Sequence, residues 1–348
     1  MIRRPIARAV RPLIQSAFAA TALCGTSTAS GQSIMAWGNP GFRNIDDLSG
    51  VVGISAGFDH TVVVRSNGAV AAWGADGFQQ CDVPTDLAPI SAVAAGGGFT
   101  IAMRFDGSLT AWGQQPNQAQ PPAVQGAVAI AAGRLHGMVL KSDALVACWG
   151  YNGDGQCSVP TNLGTVSRIA AGYYHSIALT TNGVLRCWGF NGNGQCNVPA
   201  DIGSVSAISG GGWHTATVQS DGTVRCWGYN SDGQCVVPSG LTNAQEVAGG
   251  GYHTVAKLVD GSIRCWGRNL EGQCTIPTGL PAITKVAASE LHTVALSSTG
   301  RVFAWGAKDD GRAMVPANLS DLSKVVVGGG PVLGMRQDGT LACWGANT

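Results

Sequence analysis

Six histidines and eight cysteines stand at regular places in this chain, and both side chains can ligate metals or take part in redox and proton chemistry. His136, His175, His214, His253 and His292 follow one another at 39-residue steps, and His60 holds the same place two copies earlier. Phe99 and Pro331 replace histidine in two further copies. A ring of imidazoles would suit a metal channel. One histidine per copy at a constant place is better explained by packing, with the ring bonded to the backbone of its own or the next copy. No metal and no cofactor are expected. The cysteines pair by spacing as Cys148 with Cys157, Cys187 with Cys196, Cys226 with Cys235, and Cys265 with Cys274. Eight intervening residues fit a disulfide across a turn, whereas structural zinc prefers two to four. Cys81 and Cys343 lack such partners; they are free or pair with each other.

No catalytic motif accompanies these residues. The chain contains no His-Glu-x-x-His and no Gly-x-x-x-x-Gly-Lys. Charged residues make up only 12% of the 348, about half the usual share, and glycine is abundant at 51. The net charge is +1, but Arg3, Arg4, Arg8 and Arg11 sit together at the N-terminus, and removing those four leaves the body at −3. A nucleic-acid partner would need a basic face, so none is expected.

What positions the histidines and cysteines is a repeat. Trp-Gly recurs at Trp37, Trp73, Trp112, Trp149, Trp188, Trp227, Trp266, Trp305 and Trp344, at intervals that settle to 39 residues. Residues 166–189 show the unit: one apolar run ends at Gly172, a second runs from His175 to Leu179, and Asn182-Gly183 turns the chain into a third that ends at Trp188. Asn-Gly or Asp-Gly between short alternating runs predicts a hairpin with both turn residues at positive φ. Each unit therefore holds three strands, with a fourth, weaker one expected around residues 157–160. The class is all-β, and about 40 residues per unit with a hairpin in each predicts a single β-propeller over residues 32–348. The tryptophans are expected to pack between blades.

The unit Gly-x-x-His-[Ser/Thr], Asp/Asn-Gly, Trp-Gly-x-Asn-x-x-Gly-Gln, seen end to end in residues 172–195 and 211–234, resembles the repeat of the regulator of chromosome condensation family. Its length and the Gln-x-x-Val-Pro ending are similar to a shorter, secreted bacterial branch that includes a propeller-type β-lactamase inhibitor. The resemblance implies a propeller, for which the family habit is seven blades. Eight copies of the histidine position favour eight, with residues 34–38 and 341–345 competing to close the ring. Nucleotide exchange and chromatin binding, roles of the family's nuclear members, do not suit a non-basic chain. Inhibition of a β-lactamase does not follow from the repeat alone.

Function should reside where the frame varies. The two residues between Gly and His differ in every copy, and the expected partner-binding set is Phe58, Asp59, Arg134, Tyr173, Tyr174, Trp213 and Tyr252. Aromatic side chains and arginine are the commonest binding hot spots. Phe78, Tyr151, Phe190 and Tyr229, just beyond Trp-Gly, form a second set. In the branch resembled, loops of one propeller face grip the partner. Residues 1–31 read as a secretory signal, with four arginines, an apolar run from Leu13 to Cys24 and small residues up to Gly31. No stretch is long enough to insert in a membrane. The expectation is a secreted, monomeric, non-catalytic binder of an extracellular or periplasmic protein, or of a cell-surface glycan. The alternative is a polysaccharide hydrolase or lyase with carboxylates at the channel mouth.

Overall fold

The computed structural model describes residues 50–114, 120–308, 311–316 and 319–345. The secretory signal and the Ile34–Gly38 segment lie outside the described residues. The described strands form eight sheets, each of three consecutive antiparallel strands. The sheets, here blades 1 to 8, span residues 51–74, 90–113, 127–150, 166–189, 205–228, 244–267, 283–306 and 322–345.

Contacts between blades make the arrangement a closed ring. The first strand of each blade touches the first strand of the next, and that of blade 8 touches that of blade 1. First strands are therefore innermost and third strands outermost. Val51 N–H donates to Gly339 O at 3.1 Å across the closure. Val51, Ile54 and Val63 of blade 1 share a core with Val326 and Leu333 of blade 8. Eight blades, rather than the family's seven, close the ring, and Leu341–Gly345 is the third strand of blade 8.

The Trp-Gly dipeptide ends each third strand, and the indole packs onto the preceding blade. Trp149 lies with Phe99 and Ile101 of blade 2, and Trp227 with Ile177 and Leu179 of blade 4. The described Trp-Gly tryptophans are all buried. Fully burying such a side chain stabilises by about 1.5–3 kcal/mol or more, so the recurring indoles are the main adhesive of the ring.

Two local expectations are corrected. Residues 157–160 form no strand. Cys157, Ser158 and Val159 turn their N–H groups to Asn152 Oδ1, Gly155 O and Cys157 O at 2.8, 2.9 and 3.0 Å, and Pro160 has none to offer. A ladder is impossible without those donors. The hairpins also differ. Gly183 has φ +82°, but Asn182 before it does not adopt positive φ. The turn is a type I turn closed by a left-handed glycine, with Gly183 N–H donating to Thr180 O at 3.0 Å. In blade 3, Ala144 takes that left-handed place at φ +64°.

The histidines are fully buried, and five of the six reach the next blade through a hydroxyl rather than directly to backbone. His175 Nε2 lies 3.0 Å from Thr215 Oγ1, and that hydroxyl donates to Gln195 O at 2.8 Å. Because the hydroxyl proton is committed to the carbonyl, the imidazole must donate from Nε2. The same relay links His60 to Thr100, His136 to Ser176, His214 to Thr254 and His253 to Thr293. The preceding glycine makes room for the ring: a Cβ at Gly172 would sit 2.1 Å from His175 Cε1 and 2.7 Å from Gly211 O.

Blade 7 departs from this pattern. Ser289 replaces the glycine and places its Oγ 2.6 Å from His292 Nδ1, while Val332 stands where the next blade should offer a hydroxyl. His292 Nε2 has no hydrogen-bond partner. Thr215→Val, which orphans the buried His175 N–H, is expected to destabilise by about 1–3 kcal/mol. Val332→Thr, which restores the relay toward Arg312 O, is expected to stabilise by about 1 kcal/mol. Urea midpoints of the two variants check this; equal shifts in one direction would remove the relay as a stabilising element.

Candidate binding face

Antiparallel order puts every first-to-second-strand turn on one face of the ring and every second-to-third hairpin on the other. The Gly-x-x-His turns are therefore gathered on a single face, and backbone bonds stitch them together. Phe58 N–H donates to Gly96 O (3.1 Å), Gly97 to Arg134 O (3.0 Å), Arg134 to Tyr173 O (3.1 Å), and Gly212 to Gly250 O (2.9 Å). Gly329 N–H closes the circuit on Gly57 O at 3.1 Å. Turns held this way present the intervening side chains from a fixed base.

Five of the seven expected residues, with Phe190 from the second set, form one cluster. Phe58 of blade 1 meets Tyr173 of blade 4 edge-on at 6.0 Å between ring centroids, although two blades lie between them in order round the ring. The two side chains thus meet over the central axis. The Arg134 guanidinium lies over both rings, 4.8 Å from Phe58 and 5.8 Å from Tyr173. Tyr173 also touches Tyr174 (6.5 Å) and Trp213 (6.1 Å). Tyr174 and Trp213 are 5.2 Å apart, and Phe190 stands edge-on to Trp213 at 5.7 Å.

Burial divides this cluster into two parts. Tyr173 is only 2% exposed, so it supports the face and offers little surface to a partner. Phe58, Arg134, Tyr174, Trp213 and Phe190 are half-buried and remain open on one side. Tyr252 belongs to a neighbouring group, with Tyr229 at 6.0 Å and the Arg268 guanidinium 5.5 Å above its ring. Of the rest of the second set, Tyr151 bends over Gly153 of its own turn, and Phe78 is 52% exposed beside Gly98.

Asp59 is exposed at the edge of the cluster. Partial burial raises its carboxyl above the ordinary range, while the nearby Arg312 and Arg134 charges pull it down. Burial likewise raises the Tyr173 phenol well above its usual value, with Glu290 adding to the shift and Arg134 opposing it. Arg268, Glu290 and Arg312 were not singled out from sequence. Arg312 stands where other copies have the buried glutamine, and Arg268 where blades 3, 4 and 5 have an aromatic, so a departure from the repeat was the available signal.

Those glutamines shape the turns beyond Trp-Gly. Gln156 Oε1 accepts from Asp154 N–H at 3.0 Å and Gln195 Oε1 from Asn193 N–H at 3.1 Å. Among the cysteines, Cys265 and Cys274 are joined, and the Cys226 and Cys235 sulfurs lie 2.8 Å apart. No sulfur–sulfur bond joins Cys148 to Cys157, Cys187 to Cys196 or Cys226 to Cys235, and none involves Cys81 or Cys343. Two clefts lie elsewhere, on the outer wall beside the third strands of blades 7 and 4. Among the described residues no helix is long and apolar enough to cross a membrane, and no group of three or more His, Cys, Asp or Glu side chains is placed to hold a metal ion.

Solved structures share this architecture at low sequence identity. The ectodomain of the Physcomitrella patens receptor kinase CR4 superposes with a TM-score of 0.59 at 21% identity, over 73% of this chain and 72% of that one. Prp20p from Saccharomyces cerevisiae gives 0.55 at 18% identity, over 86% and 83%. Human WBSCR16 gives 0.59 at 17% identity, over 77% and 95%. No curated protein matches the sequence at a significant level. The regulator of chromosome condensation (RCC1) repeat matches at residues 51–80, 127–156, 166–195, 205–234, 245–273 and 283–312. Those six segments cover half of the sequence, and the chain belongs to the RCC1 repeat family.

Proposed function

We propose that the chain is an exported, non-catalytic binding protein that takes a protein partner on the face built by the Gly-x-x-His turns. The observation that carries this is the half-open cluster of Tyr174, Trp213 and Phe190, seated on buried Tyr173. Rigid, partly desolvated aromatics on a stitched backbone lose little entropy on binding, which is the character of hot spots. A protein of similar fold has a protein partner: yeast RCC1 (Prp20) has been solved with Kap60 bound. Export rests on the N-terminal arginines, apolar run and small residues.

The carboxylates of this face bear on the hydrolase alternative. Asp59 has the Arg312 and Arg134 charges near it, opposing the rise that burial gives its carboxyl, and Phe58, Arg134 and Tyr173 cover the axis where a substrate would enter. Tyr174→Ala with Trp213→Ala is expected to weaken partner capture by the mature chain at least about thirtyfold, on the order of 2 kcal/mol, while lowering stability by only about 1–2 kcal/mol, so that the chain stays folded. If the double variant retains every partner at undiminished affinity, this face is not the binding surface.

A further inference from the structure

The residue after Trp-Gly and the cysteine pairs vary together round the ring. Blades 3, 4, 5 and 6 place Tyr151, Phe190, Tyr229 and Arg268 there, and the same four blades carry the cysteine pairs. Blades 1, 2 and 7 have Ala75, Gln114 and Ala307 at this place and lack the pair. Blades 3–6 also supply Arg134, Tyr174, Trp213 and Tyr252, and post-Trp-Gly side chains touch the last two: Phe190 meets Trp213, and Tyr229 and Arg268 meet Tyr252.

The four cysteine-bracketed turns share one backbone. Gly155, Gly194, Gly233 and Gly272 have φ of +82°, +78°, +78° and +82°. The second cysteine's N–H donates to the asparagine Oδ1 at 2.8, 2.9, 2.8 and 2.7 Å in turn. In blade 6 this turn holds the two Cα atoms 5.0 Å apart, within the roughly 4.4–6.8 Å that a disulfide spans, so the other three turns offer the same reach. Blade 1 is a natural control. Its turn has the matching bonds, Cys81 N–H to Asp76 Oδ1 and Phe78 N–H to Gln80 Oε1, both 2.9 Å, yet Ala72 stands opposite Cys81. Hydrogen bonds alone thus build the turn. A cross-link would add persistence to it, and the cysteine pair is present where the residue directly after Trp-Gly is aromatic or arginine.

We propose that blades 3–6 are the working half of the binding face and that four disulfides, Cys148–Cys157, Cys187–Cys196, Cys226–Cys235 and Cys265–Cys274, clamp the turns that present it. This rests on the binding reading above. Each bridge forms as two thiols give up two protons and two electrons to a disulfide oxidant, which is released as two thiols. Clamping removes loop freedom before the partner arrives and so lowers the entropy lost on binding.

Iodoacetamide labelling of the denatured, unreduced mature chain, prepared from an oxidising compartment, tests the bonds. Of the cysteines from Cys81 onward, only Cys81 and Cys343 should react. Hydrogen exchange then tests the clamp. Changing the eight paired cysteines to serine should speed amide exchange in residues 150–156, 189–195, 228–234 and 267–273 by about tenfold or more, and open Trp213 to acrylamide quenching, with the blade strands still protected. Where that variant folds poorly, Cys226→Ser with Cys235→Ser confines the same expectation to residues 228–234. Labelling of six or more of the paired cysteines in the unreduced chain, or unchanged exchange in the serine variants, overturns the proposal. Protected cysteines and clamped turns combined with full partner retention by the Tyr174 and Trp213 variant would instead remove the binding reading alone.

Discussion

Lowering the pH from 7 toward 4.5 is expected to unfold the ring in one cooperative step. Six imidazoles are fully buried, and desolvation pushes them down to about 4 for His60, His136 and His214 and to about 3 for His175, His253 and His292. Neighbouring histidines deepen the shift at His175, His253 and His292, and Arg312 adds to it at His292. An exposed imidazole titrates near 6.5, so below that pH the unfolded chain binds protons that the native one refuses. The stabilisation is complete above about pH 6.5 and falls away as pH drops toward 4 and 3. Each histidine then forfeits about 1.4 kcal/mol per pH unit, and six together about 8, which exhausts a typical 5–15 kcal/mol within roughly two units. Glu246 opposes this, because burial raises its carboxyl to about 7 against the pull of Lys285 and Lys257, but it is one group against six. Urea midpoints measured from pH 7.5 to 5 should fall steeply, and His175→Gln should reduce the slope by about a sixth. A flat profile over that range would mean that the imidazoles are not held neutral by the fold.

The frame of the molecule was legible because it repeats. Trp188, Gly172, His175 and Gln195 each solve a packing problem that recurs in other blades, so the same residue returns at the same step. Periodicity shows that His175 matters without showing why. Its partner Thr215 is 40 residues away on the next blade, a contact that only the closed ring creates. The fourth strand was misread because Cys157–Pro160 has strand-like residue types, whereas its N–H groups are bound within the turn. The candidate face was legible as a set of positions but not as a grouping. That Phe58 reaches Tyr173 depends on the number of blades and the width of the ring. Tyr173 and Tyr174 look alike in sequence, and only burial separates them.

That separation predicts different outcomes for neighbouring residues. Tyr173→Ala is expected to destabilise by about 3–5 kcal/mol, because it empties a volume bounded by Phe58, Tyr174, Trp213 and Arg134 over the axis. Little can collapse into the gap. Gly212 beside the ring has no side chain, and a Cβ there would lie 2.8 Å from Tyr173 Cε2, so the backbone already approaches as closely as the phenol permits. Trp213→Ala removes a ring that is open on one side and should cost about 1 kcal/mol in stability while abolishing most partner affinity. Urea denaturation of the two single variants, alongside partner titration, distinguishes a keystone from a contact. A Tyr173→Ala chain with an unchanged midpoint would show that blades 1 and 4 do not brace each other across the axis. The opposite result would place the origin of the face's rigidity in the ring itself, since blade 1 can brace the binding surface only when all eight blades have closed.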